Sequence, residues 1–231
     1  MRCSKLLKIS FVIILFYTNV FSLFAQKNKL VFHPISFNQT LKPGVYYKLN
    51  TNDSIQITSF KFYISQLELI NESKTVWKEQ VSYHLIDAFD ENTLTFQIPS
   101  DIPFTKLKFQ LGIDSITNVS GAMGGDLDPT KGMYWTWQSG YINLKLEGNS
   151  NLCKTRHNEF QFHLGGYQYP FNCLQTVFIP IKSSHKIVLN VDVVKFFENI
   201  DLLKHNHIMS PSKEAVNLSE KVIESFCVSY E

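Results

Sequence analysis

Short runs in which apolar and polar residues alternate recur along most of this chain, with turn residues between them. "KLVFHPISF" is the first, and "VYYKL" follows Lys42-Pro43-Gly44. "VSYHLIDAF", "LTFQIP", "KLKFQLGI", "YINLKLEG", "EFQFHLGG", "TVFIPI" and "KIVLNVDVV" continue the series. A period of two sends successive side chains to opposite faces, which is the pattern of a strand with one buried face. "IQITSFKFYISQLELI" alternates over a greater length and predicts one bent strand or two. About ten strands at this spacing argue for an all-β antiparallel sandwich or barrel rather than βαβ units.

The end of the chain follows a different period. "VVKFFENIDLLKH" turns toward helical spacing after Asp192. In "SPSKEAVNLSEKVIESFCVSY", a Ser-Pro start precedes Ala215, Leu218, Val222, Ile223 and Phe226 at helical intervals. The pattern therefore predicts an antiparallel β-sandwich with a short C-terminal helix packed on it. No repeat, linker or low-complexity tract divides the chain, so residues 26–231 read as one domain.

The first 25 residues stand apart from this pattern. Arg2, Lys5 and Lys8 form a basic start, "ISFVIILFYTNVFSLFA" is an apolar stretch too short for a membrane span, and Ala25 offers a small-residue cleavage site. This is a signal peptide, and it predicts export to the periplasm or beyond, with no integral membrane span after cleavage. Its removal takes three basic residues and no acids, leaving 19 basic against 20 acidic side chains, a net of −1. No basic face remains to attract nucleic acid. Roughly 205 residues remain, enough for one sizeable core.

Three cysteines remain after cleavage: Cys153, Cys173 and Cys227. In an oxidising compartment a Cys153–Cys173 bridge is the natural expectation, though spacing alone allows three single-bridge pairings.

The motifs of the common enzyme classes are missing. There is no G-x-S-x-G, no P-loop, no H-E-x-x-H and no C-x-x-C, so the expectation is a protein that is not an enzyme. Asp126 and Asp128, in "GGDLDP", offer oxygen ligands of the kind calcium takes, or else simply build a solvated turn. Seven histidines supply the ligand type that copper and zinc share. His84 in "YHLID" and His163 in "FHLGG" lie inside strand patterns, while "HNH" places His205 and His207 on one side of an extended segment. Trp135 and Trp137, in "MYWTW", share a face if that segment is extended. They read equally as two core residues closing one end of the sandwich.

"LGIDSITNVSGAMGGDLDPTKGMYWTWQSGYINLKLEG" followed by "FQFHLGGY" resembles the MbnP-like family, periplasmic copper-binding proteins associated with methanobactin operons, and their relatives in Bacteroidetes-type bacteria. The resemblance extends to "FKFYISQLELI" and "HNHIMSPSKEAV", and so covers most of the mature chain. It implies a β-rich exported domain. In some relatives it implies a mononuclear copper site built from two histidines and a tryptophan oxidised to kynurenine by a di-haem MauG-type partner. Carried onto this sequence, Trp135 or Trp137 is the modifiable residue, and His163, His84 and His207 are the imidazoles on offer. Copper-binding methanotroph relatives carry a histidine in the loop before the tryptophans, whereas "NVSGAMGGDLDP" has none. The implied function is metal acquisition or delivery; the alternative is a metal-free exported interaction module in which the tryptophan pair is structural.

Overall fold

The computed structural model describes residues 27–99, 101–182, 186–198 and 200–229. The predicted signal peptide, and His185 with it, lie outside the described residues. The alternating runs form strands in two sheets. The smaller orders Phe226–Ser229, Lys186–Asp192, Lys27–Ser36 and Gln39–Thr40, with Thr95–Pro99 also paired to Lys27–Ser36. The larger orders Gln175–Pro180, Lys106–Leu111, Ser54–Asn71, Gly140–Ser150, Glu159–Gly165 and His207–Ile208. Ser54–Asn71, the long alternating run, is a single 18-residue strand that five others join along its length. Its register to Lys106–Leu111 shifts between Ser65 and Glu68, where Gln66 has a positive φ of 50°. Such a bulge bends a strand without ending it.

The main core lies between the sheets. Phe32 and Phe226 come from the smaller sheet, and Phe62 and Phe109 from the larger. Ring contacts close these four into a circuit: Phe32–Phe62 at 6.0 Å, Phe62–Phe226 at 5.7 Å, Phe226–Phe109 at 5.6 Å and Phe109–Phe32 at 6.0 Å. The helix Lys213–Val222 starts where the Ser212 side chain accepts a hydrogen bond from the Ala215 N–H, and it buries Ala215, Leu218 and Val222 in the same core. A shorter helix, Val193–Phe197, is capped by Asp192 and lays Phe197 on Phe160 and Phe196 on Phe162.

The fold is the expected β-rich sandwich with a C-terminal helix, with two additions. Lys27–Ser36 pairs parallel to Lys186–Asp192, and Glu159–Gly165 pairs parallel to His207–Ile208. Parallel neighbours need long connections, so local alternation cannot announce them. Phe226, which falls at helical spacing, belongs instead to a final strand that joins the smaller sheet.

The expected disulfide does not form, because Cys153, Cys173 and Cys227 are free thiols. Cys153 lies in the loop before Glu159–Gly165 and Cys173 in the loop after it. A strand of that length holds the two loops roughly 20 Å apart, while a disulfide needs Cα atoms within about 7 Å. Burial pushes the Cys173 thiol up to about 11, well away from a reactive thiolate.

Candidate metal centre

The larger sheet has a second buried surface on the face turned away from the main core. Residues 112–139 fold back over it and enclose Tyr63, Leu85, Ile113, Leu127, Met133, Trp135, Tyr141 and Ile142. Asp126 fixes this cover. One carboxylate oxygen accepts the Leu85 N–H at 3.1 Å, the other meets Lys131 Nζ at 2.6 Å, and its carbonyl accepts the Tyr63 hydroxyl at 3.0 Å. Asp128 turns the other way and caps the next turn by accepting from the Thr130 N–H and hydroxyl. The calcium expectation at Asp126 and Asp128 is not supported by this geometry, since the two carboxylates serve different local partners.

Tyr134 and Trp135 then pair with Tyr141 and Gly140, which seats the tryptophan at the edge of the buried patch. Its indole presses on Gly165, so closely that a Cβ there would sit 2.8 Å from Cζ3 and 2.9 Å from Cη2. Trp135 is 5% exposed and its Nε1 has no hydrogen-bond partner. Trp137 touches it at 5.8 Å between ring centroids yet is 65% exposed. The segment is extended only to Trp135 and turns at residues 136–139, so the two rings meet across a turn rather than along one strand face, and only Trp135 is core. Gly165→Ala is expected to lower stability by about 1–3 kcal/mol through overpacking. The same variant should red-shift the tryptophan fluorescence as the indole is driven outward, and an unchanged spectrum would show that the two do not press on each other.

His163 stands two residues before Gly165, on the same face of the same strand, about 7 Å along it. Its register partners Lys145 and, one strand further, Lys61 lie on that outer face too. The imidazole is 6% exposed, and its Nε2 donates to Glu147 Oε1 at 2.6 Å. That hydrogen bond, with Lys145 3.5 Å from the same oxygen, holds the Glu147 carboxyl below the usual range despite partial burial. With Glu147 ionised, the shared proton sits on Nε2 and the lone pair of the neutral ring is left on Nδ1. Nδ1 is buried without a partner. A carboxylate that orients an imidazole in this way is the usual support of a metal-ligating histidine.

The other predicted imidazoles divide. His207 is exposed and pairs with Gln161, so it lies on the His163 face of the neighbouring strand. His84 is a correction: it pairs with Ile64, on the core side of the sheet, while His163 lies on the outer side. There its Nε2 bonds Glu79 at 2.7 Å and its ring packs on Phe96 at 4.4 Å. A one-residue difference in register parity sends a side chain to the opposite face, and an isolated sequence does not reveal that parity. His33 is held by Asn190 and Thr40.

Sequence reasoning overlooked two residues. Glu147 is the cross-strand carboxylate of His163, and only the strand pairing discloses it. Met209 follows His207 by two residues in "HNHIM". Extending the register of Gln161 with His207 and Phe162 with Ile208 by one residue would bring Met209 opposite His163. Pro211, two residues further on, lies 3.0 Å from where a Gly166 Cβ would be. The alternation His-x-His-x-Met was the available signal. Among the described residues, no three histidine, cysteine, aspartate or glutamate side chains gather into a group that could hold a metal ion on its own.

Fold and site together define a two-sheet β domain in which a buried tryptophan and a carboxylate-oriented histidine share the outer face of the larger sheet. The chain belongs to the MbnP family, whose sequence profile it matches over residues 25–210. Its fold is similar to that of MbnP from Methylosinus trichosporium, with a TM-score of 0.55 and 13% identity over 77% of this chain and 79% of that one. No curated protein matches it in sequence. Among the described residues, no helix is long and apolar enough to cross a membrane.

Proposed function

We propose that this protein is an exported, non-enzymatic copper-binding protein that takes the metal as cargo, for acquisition or delivery. The observation that carries the reading is the unpartnered, buried Nδ1 of His163, set free by the Glu147 hydrogen bond on Nε2. A buried polar atom without a partner is costly and is retained where something else completes it. His163 and the Met209 thioether would hold the ion, a nitrogen and a sulfur donor that suit Cu(I) and not calcium or magnesium. His207 is exposed on the adjacent strand, on the same face as His163.

Trp135 is the tryptophan that oxidation to kynurenine would target, because it is the buried one and its N–H is unsatisfied. Kynurenine would put a carbonyl and an aniline nitrogen where the indole now meets Gly165, two residues along the strand from His163. A di-haem MauG-type enzyme is the partner that the family reading supplies. The metal-free module reading asks for both indoles in apolar surroundings, and Trp137 is exposed.

Intact mass and copper content, measured together on protein purified from its export compartment, test the reading. Expected are near-stoichiometric copper and, on the peptide carrying Trp135, the mass gain of one ring carbon replaced by oxygen. An unmodified protein without copper would instead leave the metal-free module.

A further inference from the structure

A buried tryptophan cannot be reached directly by a protein oxidant. Trp135 is 5% exposed, belongs to the buried patch on the outer face of the larger sheet, and has Gly165 pressed against its ring. Electron transfer falls steeply with distance, so the oxidising equivalent needs a stepping stone at the surface. Trp137 has the properties of one. Its ring contacts that of Trp135 at 5.8 Å with an interplanar angle of 44°, and it is 65% exposed. Thr136 separates them, so the two are joined by a short stretch of backbone as well as by ring contact.

Exposed aromatic side chains also stand close to the residue that follows Trp137. Gln138, the next residue, lines a concave surface with Tyr167, Tyr169, Phe171 and Pro211. Tyr169 is 98% exposed and Phe171 38%. Exposed aromatic side chains in one patch are the kind of surface that a protein partner covers.

We infer that Trp137 is the electron-relay residue through which an external one-electron oxidant, of the haem peroxidase class, oxidises Trp135. This rests on the reading that Trp135 is the residue converted. Each event removes an electron from Trp137, which is refilled from Trp135, and the protons go to solvent. Four electrons and four protons leave in all, while two waters supply oxygen to the pyrrole carbons C2 and C3. The C2–C3 bond breaks to give N-formylkynurenine. A third water then cleaves the formyl group as formate and leaves kynurenine. The electrons reduce the oxidant, so peroxide supplied to the haem is consumed and Trp137 ends unchanged.

The test uses photogenerated tris(bipyridine)ruthenium(III), with persulfate as electron acceptor, on the full mature protein. This complex is too bulky to make ring contact with a side chain that is only 5% exposed. Oxidation is followed by peptide mapping in wild type, Trp137→Phe and Trp135→Phe, each checked for an unchanged thermal midpoint. The expected result is oxidised Trp135 in wild type and at least a tenfold lower yield of it in Trp137→Phe. Equal yields in those two proteins would overturn the relay while keeping Trp135 as the target. Wild-type protein in which Trp137 alone accumulates oxygen, with Trp135 intact, would overturn the choice of Trp135 itself.

Discussion

Phe62→Ala is expected to cost about 3–5 kcal/mol of folding stability, read as a lower midpoint in urea unfolding with little change in slope. Phe62 has no exposed surface and sits on the central strand Ser54–Asn71. It contacts Phe32 and Phe226 from the opposite sheet and Phe60 on its own strand. Removing the ring deletes two of the four contacts in the circuit that joins the sheets, and it leaves a cavity that rigid strands on either side cannot close. Tyr63, one residue on, makes the contrasting case. Its side chain points the other way, into the smaller patch under residues 112–139, where its hydroxyl holds the Asp126 carbonyl. Its replacement by Phe would loosen that cover while the two-sheet core stays intact. A Phe62→Ala protein as stable as wild type would mean that the sheets are not joined through these rings.

The strands were legible because alternation is a local property. In Lys106–Leu111, Leu107, Phe109 and Leu111 are buried and the residues between are not. The C-terminal helix was legible for a similar reason, through Ala215, Leu218 and Val222. What the chain does not state locally is which strands become neighbours. That information decides that His84 faces the core and His163 the outer surface, and that Cys153 and Cys173 lie at opposite ends of a strand. Glu147 went unnoticed because it is 16 residues from His163 and meets it only through the pairing of Gly140–Ser150 with Glu159–Gly165. Trp135 and Trp137 share a face only if the segment is extended, and a turn at residues 136–139 leaves Trp135 buried and Trp137 exposed. Here the resemblance supplied the chemistry, and the register selected the residues.

His163→Ala is expected to abolish tight copper binding, and Glu147→Gln to weaken it by about 10–100-fold, as losses of outer-shell support typically do. The second variant is the more informative. An ionised Glu147 can only accept, which keeps the His163 proton on Nε2 and leaves Nδ1 open. A glutamine can donate instead, and its amide N–H would then favour the other tautomer, with the proton on Nδ1 where the metal should bind. Affinity is measured by anaerobic competition with a Cu(I) chelator such as bathocuproine disulfonate, and thermal unfolding of the metal-free proteins is recorded in parallel. Met209→Leu, which keeps the size and removes the sulfur, should also raise Kd. His84→Gln should leave Kd unchanged, because that ring is on the opposite face of the sheet, bonded to Glu79. If Glu147 and His163 serve only to hold the strand pair together, Glu147→Gln will lower the thermal midpoint without changing Kd. If they prepare a metal ligand, Kd will move even where the midpoint does not, and that separation decides between a structural pair and a copper site.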